Sequence, residues 1–266
     1  MKRSISNIGW EASQDVQVFE WMQQYGFTGL EIAPTRILPQ NPYDRLEELG
    51  QWYAVLKKTW GFEIPSMQSI WFGRQEKLFG TAEERQSLLD YTRKAIDFAA
   101  VVSCRNLVFG CPRNRQIPPG ADPEIAVAFF RELGDYAVQR GVVLAMEANP
   151  PIYNTNYIND TPGALELVKQ VDSEGFLLNL DVGTMIQNEE QISQLVGAVR
   201  WINHVHISEP GLRNINRNRE TFHRELLNLL KQEGYPGYVS IEVGKQAELA
   251  AMEESMNYLE GLCHDL

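Results

Sequence analysis

The chain has 266 residues, 44% of them hydrophobic, so it can bury a large core and is long enough for one α/β barrel or two smaller domains. Its formal charge of −11 is unsuited to gripping a polyphosphate, and no stretch approaches the ~20 apolar residues that span a bilayer, so neither nucleic acid nor membrane is an expected partner. The N-terminus lacks the apolar run of a signal peptide, and Cys104, Cys111 and Cys263 show no CxxC spacing; a cytoplasmic protein with incidental thiols is expected.

Short apolar or β-branched runs alternate with longer stretches of helical period, the signature of βα units. In chain order the predicted strands are Ser4–Ile8, Gly29–Ile32, Glu63–Met67, Asn106–Gly110, Val142–Glu147, Phe176–Asp181, His204–Ile207 and Val239–Val243. Their starts are about 33 residues apart, the length of one strand, one helix and two loops, and eight such units fill residues 1–266. A single-domain (β/α)₈ TIM barrel is the expected fold. Helices are predicted over Thr81–Val102, Pro123–Arg140 and Gly163–Val171 from their amphipathic spacing, and Gly26, Gly61, Gly141, Gly175 and Gly234 stand where a left-handed residue turns a helix end toward the next strand.

The last four strands each end in a group able to bind a cation: Glu147, Asp181, His206 and Glu242. The C-terminal ends of parallel barrel strands share one mouth, so residues 34, 25 and 36 positions apart can meet in one coordination sphere. Taken singly, each has an ordinary duty: a solvated carboxylate for either Glu, a helix cap for Asp181, a core histidine for His206. Four strands doing so at one mouth argue for a site, because each buried ionisable group costs desolvation. Three carboxylates and one imidazole suit Mn²⁺, Co²⁺ or Mg²⁺ better than a closed zinc site. Two residues back along each strand lie Ala145, Asn179, His204 and Ser240; the last three are polar where a barrel interior is normally aliphatic, and are expected to support the ligands from beneath.

With Tyr25-Gly26-Phe27-Thr28-Gly29-Leu30-Glu31-Ile32 leading into the second strand and those four strand ends in order, the whole chain resembles the xylose isomerase-like TIM-barrel sugar isomerases and epimerases, particularly ketose 3-epimerases and hydroxypyruvate isomerases. The resemblance implies that Glu147, Asp181, His206 and Glu242 hold one divalent metal and that Glu147 and Glu242 are the catalytic acid–base pair. One removes a proton next to a carbonyl, giving an enediolate, and the other returns it. It also implies a small sugar or sugar-derivative substrate, keto-acids included, and a frequent habit of forming homo-oligomers.

Three positions depart from the ketose epimerase pattern: Thr184 stands where a substrate-contacting histidine is usual, Tyr153 where a substrate glutamate is usual, and Leu212 where an arginine is usual, with Arg213 next to it. Trp71, Arg113, Arg213 and Glu209 are therefore the candidate substrate contacts, with Phe72, Arg115 and Lys245 as further ones; Arg113 and Arg115 turned inward would favour an acidic or phosphorylated sugar. Rival readings are an inosose-dehydratase-like lyase on the same site and a catalytically silent sugar-binding barrel. The apurinic-site endonuclease branch needs more histidines for its metal cluster than His204, His206, His223 and His264 supply.

Overall fold

The computed structural model describes residues 1–245 and 247–264. Among them are seven strands, β1 (Lys2–Ser6), β2 (Gly29–Glu31), β3 (Asn106–Phe109), β4 (Val143–Glu147), β5 (Phe176–Asp181), β6 (Ile202–Ile207) and β7 (Tyr238–Ile241). They form one parallel sheet in the order β2-β1-β7-β6-β5-β4-β3. The helices are α1 (Asp15–Gln24), α2 (Pro34–Ile37), α3 (Leu46–Trp60), α4 (Ala82–Val101), α5 (Glu124–Val138), α6 (Thr161–Val171), α7 (Val182–Gln187), α8 (Glu220–Gln232) and α9 (Ala250–His264). This is a TIM barrel covering the chain.

The predicted third strand, Glu63–Met67, is not a regular strand. Pro65 sits in its middle with no N–H to donate, so the ladder breaks. The segment still fills the eighth position in the wall. Leu30 N donates to Glu63 O and Ile32 N to Ser66 O on one side, while Met67 N donates to Asn106 O and Val108 N to Met67 O on the other. Isolated bridges Gly29–Glu63, Ile32–Met67 and Met67–Leu107 thus link β2 to β3 and close the ring.

Two of the predicted helices, α4 and α6, are capped at their starts as well as amphipathic. Thr81 Oγ1 accepts from Glu84 N while Glu84 Oε2 accepts from Thr81 N, a reciprocal cap that starts α4. Asp160 Oδ1 accepts from Gly163 N and starts α6 two residues earlier than the apolar period suggested. Four of the five turn glycines take positive φ; Gly175 does not. There the left-handed residue is Asp172, at φ 49°, and Gly175 is small for another reason: a Cβ would fall 2.0 Å from Gly134 O, where α5 crosses the start of β5.

Outward strand residues such as Leu107, Leu144, Met146, Leu178, Leu180, Val205 and Ile241 are sealed beneath the helices, with Phe130 of α5 stacked on Phe176 at 4.7 Å. The barrel axis is filled instead by Ser4, Ser66, Asn106, Asn179, His204 and Ser240, all fully buried. A polar axis supplies fixed hydrogen-bond partners to whatever stands at its mouth.

Candidate metal centre

Glu147, Asp181, His206 and Glu242 converge: each offers a donor atom, and the four atoms all lie within 4.8 Å of one another. His206 Nδ1 is the hub, 3.0 Å from Glu147 Oε1 and 3.2 Å from Glu242 Oε2. Asp181 also performs the capping duty expected of an isolated aspartate, its Oδ1 accepting from Thr184 N at the start of α7, while Ser208 Oγ donates to its Oδ2. Glu147 Oε2 accepts from Asn149 Nδ2 at 3.1 Å. Gly110 leaves room for it, since a Cβ there would lie 3.0 Å from that oxygen.

The residues expected beneath the ligands behave differently from one another. Barrel stagger sets Glu147 level with Asn179 on β5, and His206 level with Ser240 on β7. Asn179 therefore supports Glu147 from the side, Nδ2 to Oε1 at 2.8 Å. Ser240 Oγ is buried with no hydrogen-bond partner among the described residues. His204 Nε2 lies 3.0 Å from Glu31 Oε2, although out of line for a hydrogen bond.

Glu31 is the residue that sequence reasoning passed over. It ends β2 as Glu147 ends β4, is wholly buried, and places Oε2 2.9 Å from His206 Nε2 while Oε1 accepts from Gln68 Nε2 at 2.8 Å. The strand-end signal was present within the Gly29–Ile32 run, but only barrel closure reveals that a carboxylate there meets β6.

The mouth opens into a cleft of about 180 Å³ whose walls include Gln68, Ser69, Cys111, Tyr153, Glu209 and Leu212 beside the carboxylates. That is below the volume usual for drug-sized ligands and suits a small one. Of the candidate substrate contacts, Glu209 lines it, accepting from Arg219 and from Asn216 N. Trp71, Arg113 and Arg213 do not. Trp71 donates to Thr92 Oγ1, packs edge-on against Phe109 and Phe129, and lines an adjoining pocket that shares Ser69, Cys111 and Pro112 with the cleft. Arg113 is exposed outside the cleft, and Arg213 folds back to Pro210 O after the left-handed turn at Leu212. Phe72 is exposed and Lys245 pairs with Glu11.

Arg115 turns inward but never reaches the cleft. Wholly buried, it donates to Glu147 O, Asn149 Oδ1 and Ile158 O. Thr184 ties α7 to Ala148 O, and Tyr153 OH accepts from Gly211 N, joining two loops across the mouth. Burial pushes the Cys111 thiol up to about 12, leaving it an inert part of the wall.

The donor set fits a divalent cation: three carboxylates and one imidazole nitrogen offer donor atoms within 4.8 Å of one another, and Asn179 Nδ2, 3.3 Å from His206 Nδ1, can donate to that nitrogen only when it carries no proton. Burial, with Glu147 adding to it, pushes Asp181 up to about 6; burial outweighs the nearby His206 and pushes Glu242 up to about 7. For His206 burial acts downward, but Glu242 and Glu31 overcome it and hold the imidazole well above its usual range. All three groups hold protons more tightly folded than unfolded, so their contribution to stability is present at low pH and is lost as pH rises through about 6 to 7 and beyond. A cation needs these ligands deprotonated and stabilises the fold most where they are so. The rise in Tm on adding Mn²⁺, read by calorimetry, is therefore expected to be larger at pH 8 than at pH 5.5; equal rises would contradict a cation at these residues.

A model of the xylose isomerase-like TIM barrel family matches residues 19–262. No curated protein matches the sequence. Among solved structures the chain is similar to 3-keto-D-glucoside 4-epimerase from E. coli, at 21% identity over 99% of each chain and a TM-score of 0.76. It is similar to D-psicose 3-epimerase from Clostridium cellulolyticum H10, solved with D-tagatose, at 19% identity over 99% of each chain and 0.80. AP endonuclease, family 2 from Brucella melitensis, is also similar, at 18% identity over 98% of this chain and 99% of that one, with 0.72. At such identities the likeness establishes the fold.

Proposed function

The chain belongs to the xylose isomerase-like TIM barrel family, and from that premise we propose that it is a divalent-cation-dependent isomerase or epimerase of a small, uncharged keto sugar. The reading is carried by one observation: Glu147 and Glu242 flank His206 Nδ1 at the floor of a small cleft, with Asp181 completing the donor set. Mn²⁺, Co²⁺ or Mg²⁺ held by these four side chains supplies positive charge that offsets the negative charge developing on a substrate carbonyl oxygen.

The chain's own residues move the proton. One of Glu147 and Glu242 removes it from the carbon next to the carbonyl, and the other returns it to the opposite face of the planar intermediate, which inverts the centre; return to the neighbouring carbon isomerises it. Asn179 and Asn149, each donating to one oxygen of Glu147, hold that carboxylate still while the proton is exchanged.

Charge supports a neutral substrate. Glu147, Asp181, Glu209 and Glu242 line the cleft, and among the described residues no lysine or arginine does. A phosphate or carboxylate there would lose its hydration without gaining the guanidinium partner that such groups need. This favours a ketose over a keto-acid or a sugar phosphate. The neighbours named as epimerases of 3-keto-D-glucoside and of D-psicose are consistent with that class.

The test is a screen of ketoses, their phosphates, keto-acids and inososes in deuterated water with each cation, reading deuterium at carbon by NMR. Cation-dependent incorporation into an uncharged ketose is the expected result. Preferential exchange of phosphates would overturn the neutral substrate, water loss from inososes would make the protein a lyase, and no exchange with any cation would leave a silent barrel.

A further inference from the structure

Glu31 does not line the cleft, and no solvent reaches it, so it is out of reach of a substrate. What it touches is the far side of His206. An imidazole offers a lone pair through one ring nitrogen only when the other carries the proton. The nitrogen facing Glu147 and Glu242 is Nδ1, while Nε2 points away toward Glu31 Oε2 at 2.9 Å. An ionised carboxylate can only accept, so Glu31 keeps a proton on Nε2, whereas the proton that Glu147 and Glu242 favour on Nδ1 is the one a cation would displace.

We propose that Glu31 is the positioning residue that selects the Nε2–H tautomer of His206 and thereby keeps Nδ1 open to a cation. The inference rests on the reading of the four strand ends as a cation centre. Gln68 holds Glu31 by a hydrogen bond, and His204 lies close against it. Gln68 Nε2 donates to Oε1 and also reaches Ser6 Oγ, and His204, two residues before His206 on the same strand, stands 3.0 Å from Oε2. Residues from β1, β2, β6 and the position just after the irregular Glu63–Met67 segment therefore fix one proton, an arrangement that only the closed ring can make.

Glu31→Gln tests it. With Gln68 donating to one side of residue 31, the new amide places its oxygen there and its NH₂ toward His206 Nε2. That nitrogen must then accept, which drives the proton onto Nδ1, where a cation would sit. The free Mn²⁺ signal in electron paramagnetic resonance gives the dissociation constant at neutral pH. The variant is expected to bind about 10–100-fold more weakly, the usual loss when a partner that orients a ligand is removed, with the circular dichroism unchanged. A residue that only filled space would alter stability and leave the affinity of the folded protein alone. Affinity within twofold of wild type in a folded variant overturns the proposal.

A second measurement stands if the variant does not fold. In the Mg²⁺-loaded wild type, ¹⁵N NMR of the imidazoles is expected to show His206 protonated at Nε2 and bare at Nδ1, and the opposite pattern overturns the role of Glu31. Wild-type protein that binds no Mn²⁺ refutes the cation centre and this proposal together. Tight wild-type binding with an unaffected variant refutes Glu31 alone.

Discussion

Replacing Glu147 or Glu242 by glutamine is expected to lower solvent-deuterium exchange into the substrate by about 10²–10⁴-fold, the contribution usual for a positioned acid or base. Glutamine keeps the size of the side chain and one oxygen able to act as a ligand, but it cannot take up a proton. The two variants should fail in the same way because each carboxylate serves one face of the reacting carbon. Measuring Mn²⁺ content beside exchange separates the two duties. A variant that keeps its cation and loses exchange has lost the base, whereas normal exchange in either variant would remove that residue from the acid–base pair.

Arg115→Met is expected to cost about 3 kcal/mol of stability, the largest effect foreseen outside the centre itself. The guanidinium is wholly buried, makes no ion pair among the described residues, and stays charged at neutral pH although burial draws it down to about 10. What it provides is hydrogen bonds to Glu147 O, Asn149 Oδ1 and Ile158 O. Methionine fills much of the space but removes the donor to Glu147 O and Asn149 Oδ1, at ~1–3 kcal/mol each, while Ile158 O keeps Asn149 N as a donor; part of the loss is returned because a buried charge is gone. For a chain of this size the loss lowers Tm by roughly 6–12 °C, readable by calorimetry. A change under about 1 kcal/mol would mean that water replaces the guanidinium without loss. Because Asn149 also holds Glu147 Oε2, the surviving folded protein should bind Mn²⁺ less tightly as well.

The barrel was legible because its signals are local. The strand–helix rhythm, the caps at Thr81 and Asp160, and the turn glycines at 26, 61, 141 and 234 act within a few residues of where they stand. Glu147, Asp181, His206 and Glu242 were legible for the same reason, since ending a strand is a local property and a parallel barrel gathers strand ends at one mouth. Loop cations were not legible. Arg113, Arg213 and Lys245 stand four to six residues past the ends of β3, β6 and β7, where Glu209 stands two past β6, and the loops that turn them away are shaped by contacts elsewhere, such as the left-handed Leu212 and the pairing of Lys245 with Glu11.

What the amino-acid order determined by itself, then, is the fold and the identity of the four groups that end the last strands, because alternation along a strand and the spacing of βα units need no knowledge of distant residues. The tertiary structure decided the rest: that Glu31 reaches across to His206, that Asn179 stands beside Glu147, and that among the described residues Ser240 Oγ has no hydrogen-bond partner and no arginine lines the cleft. The physical reason is closure. Stagger between neighbouring strands and the joining of the irregular Glu63–Met67 segment to β2 and β3 set which buried side chains meet, and those are relations between residues up to 175 positions apart.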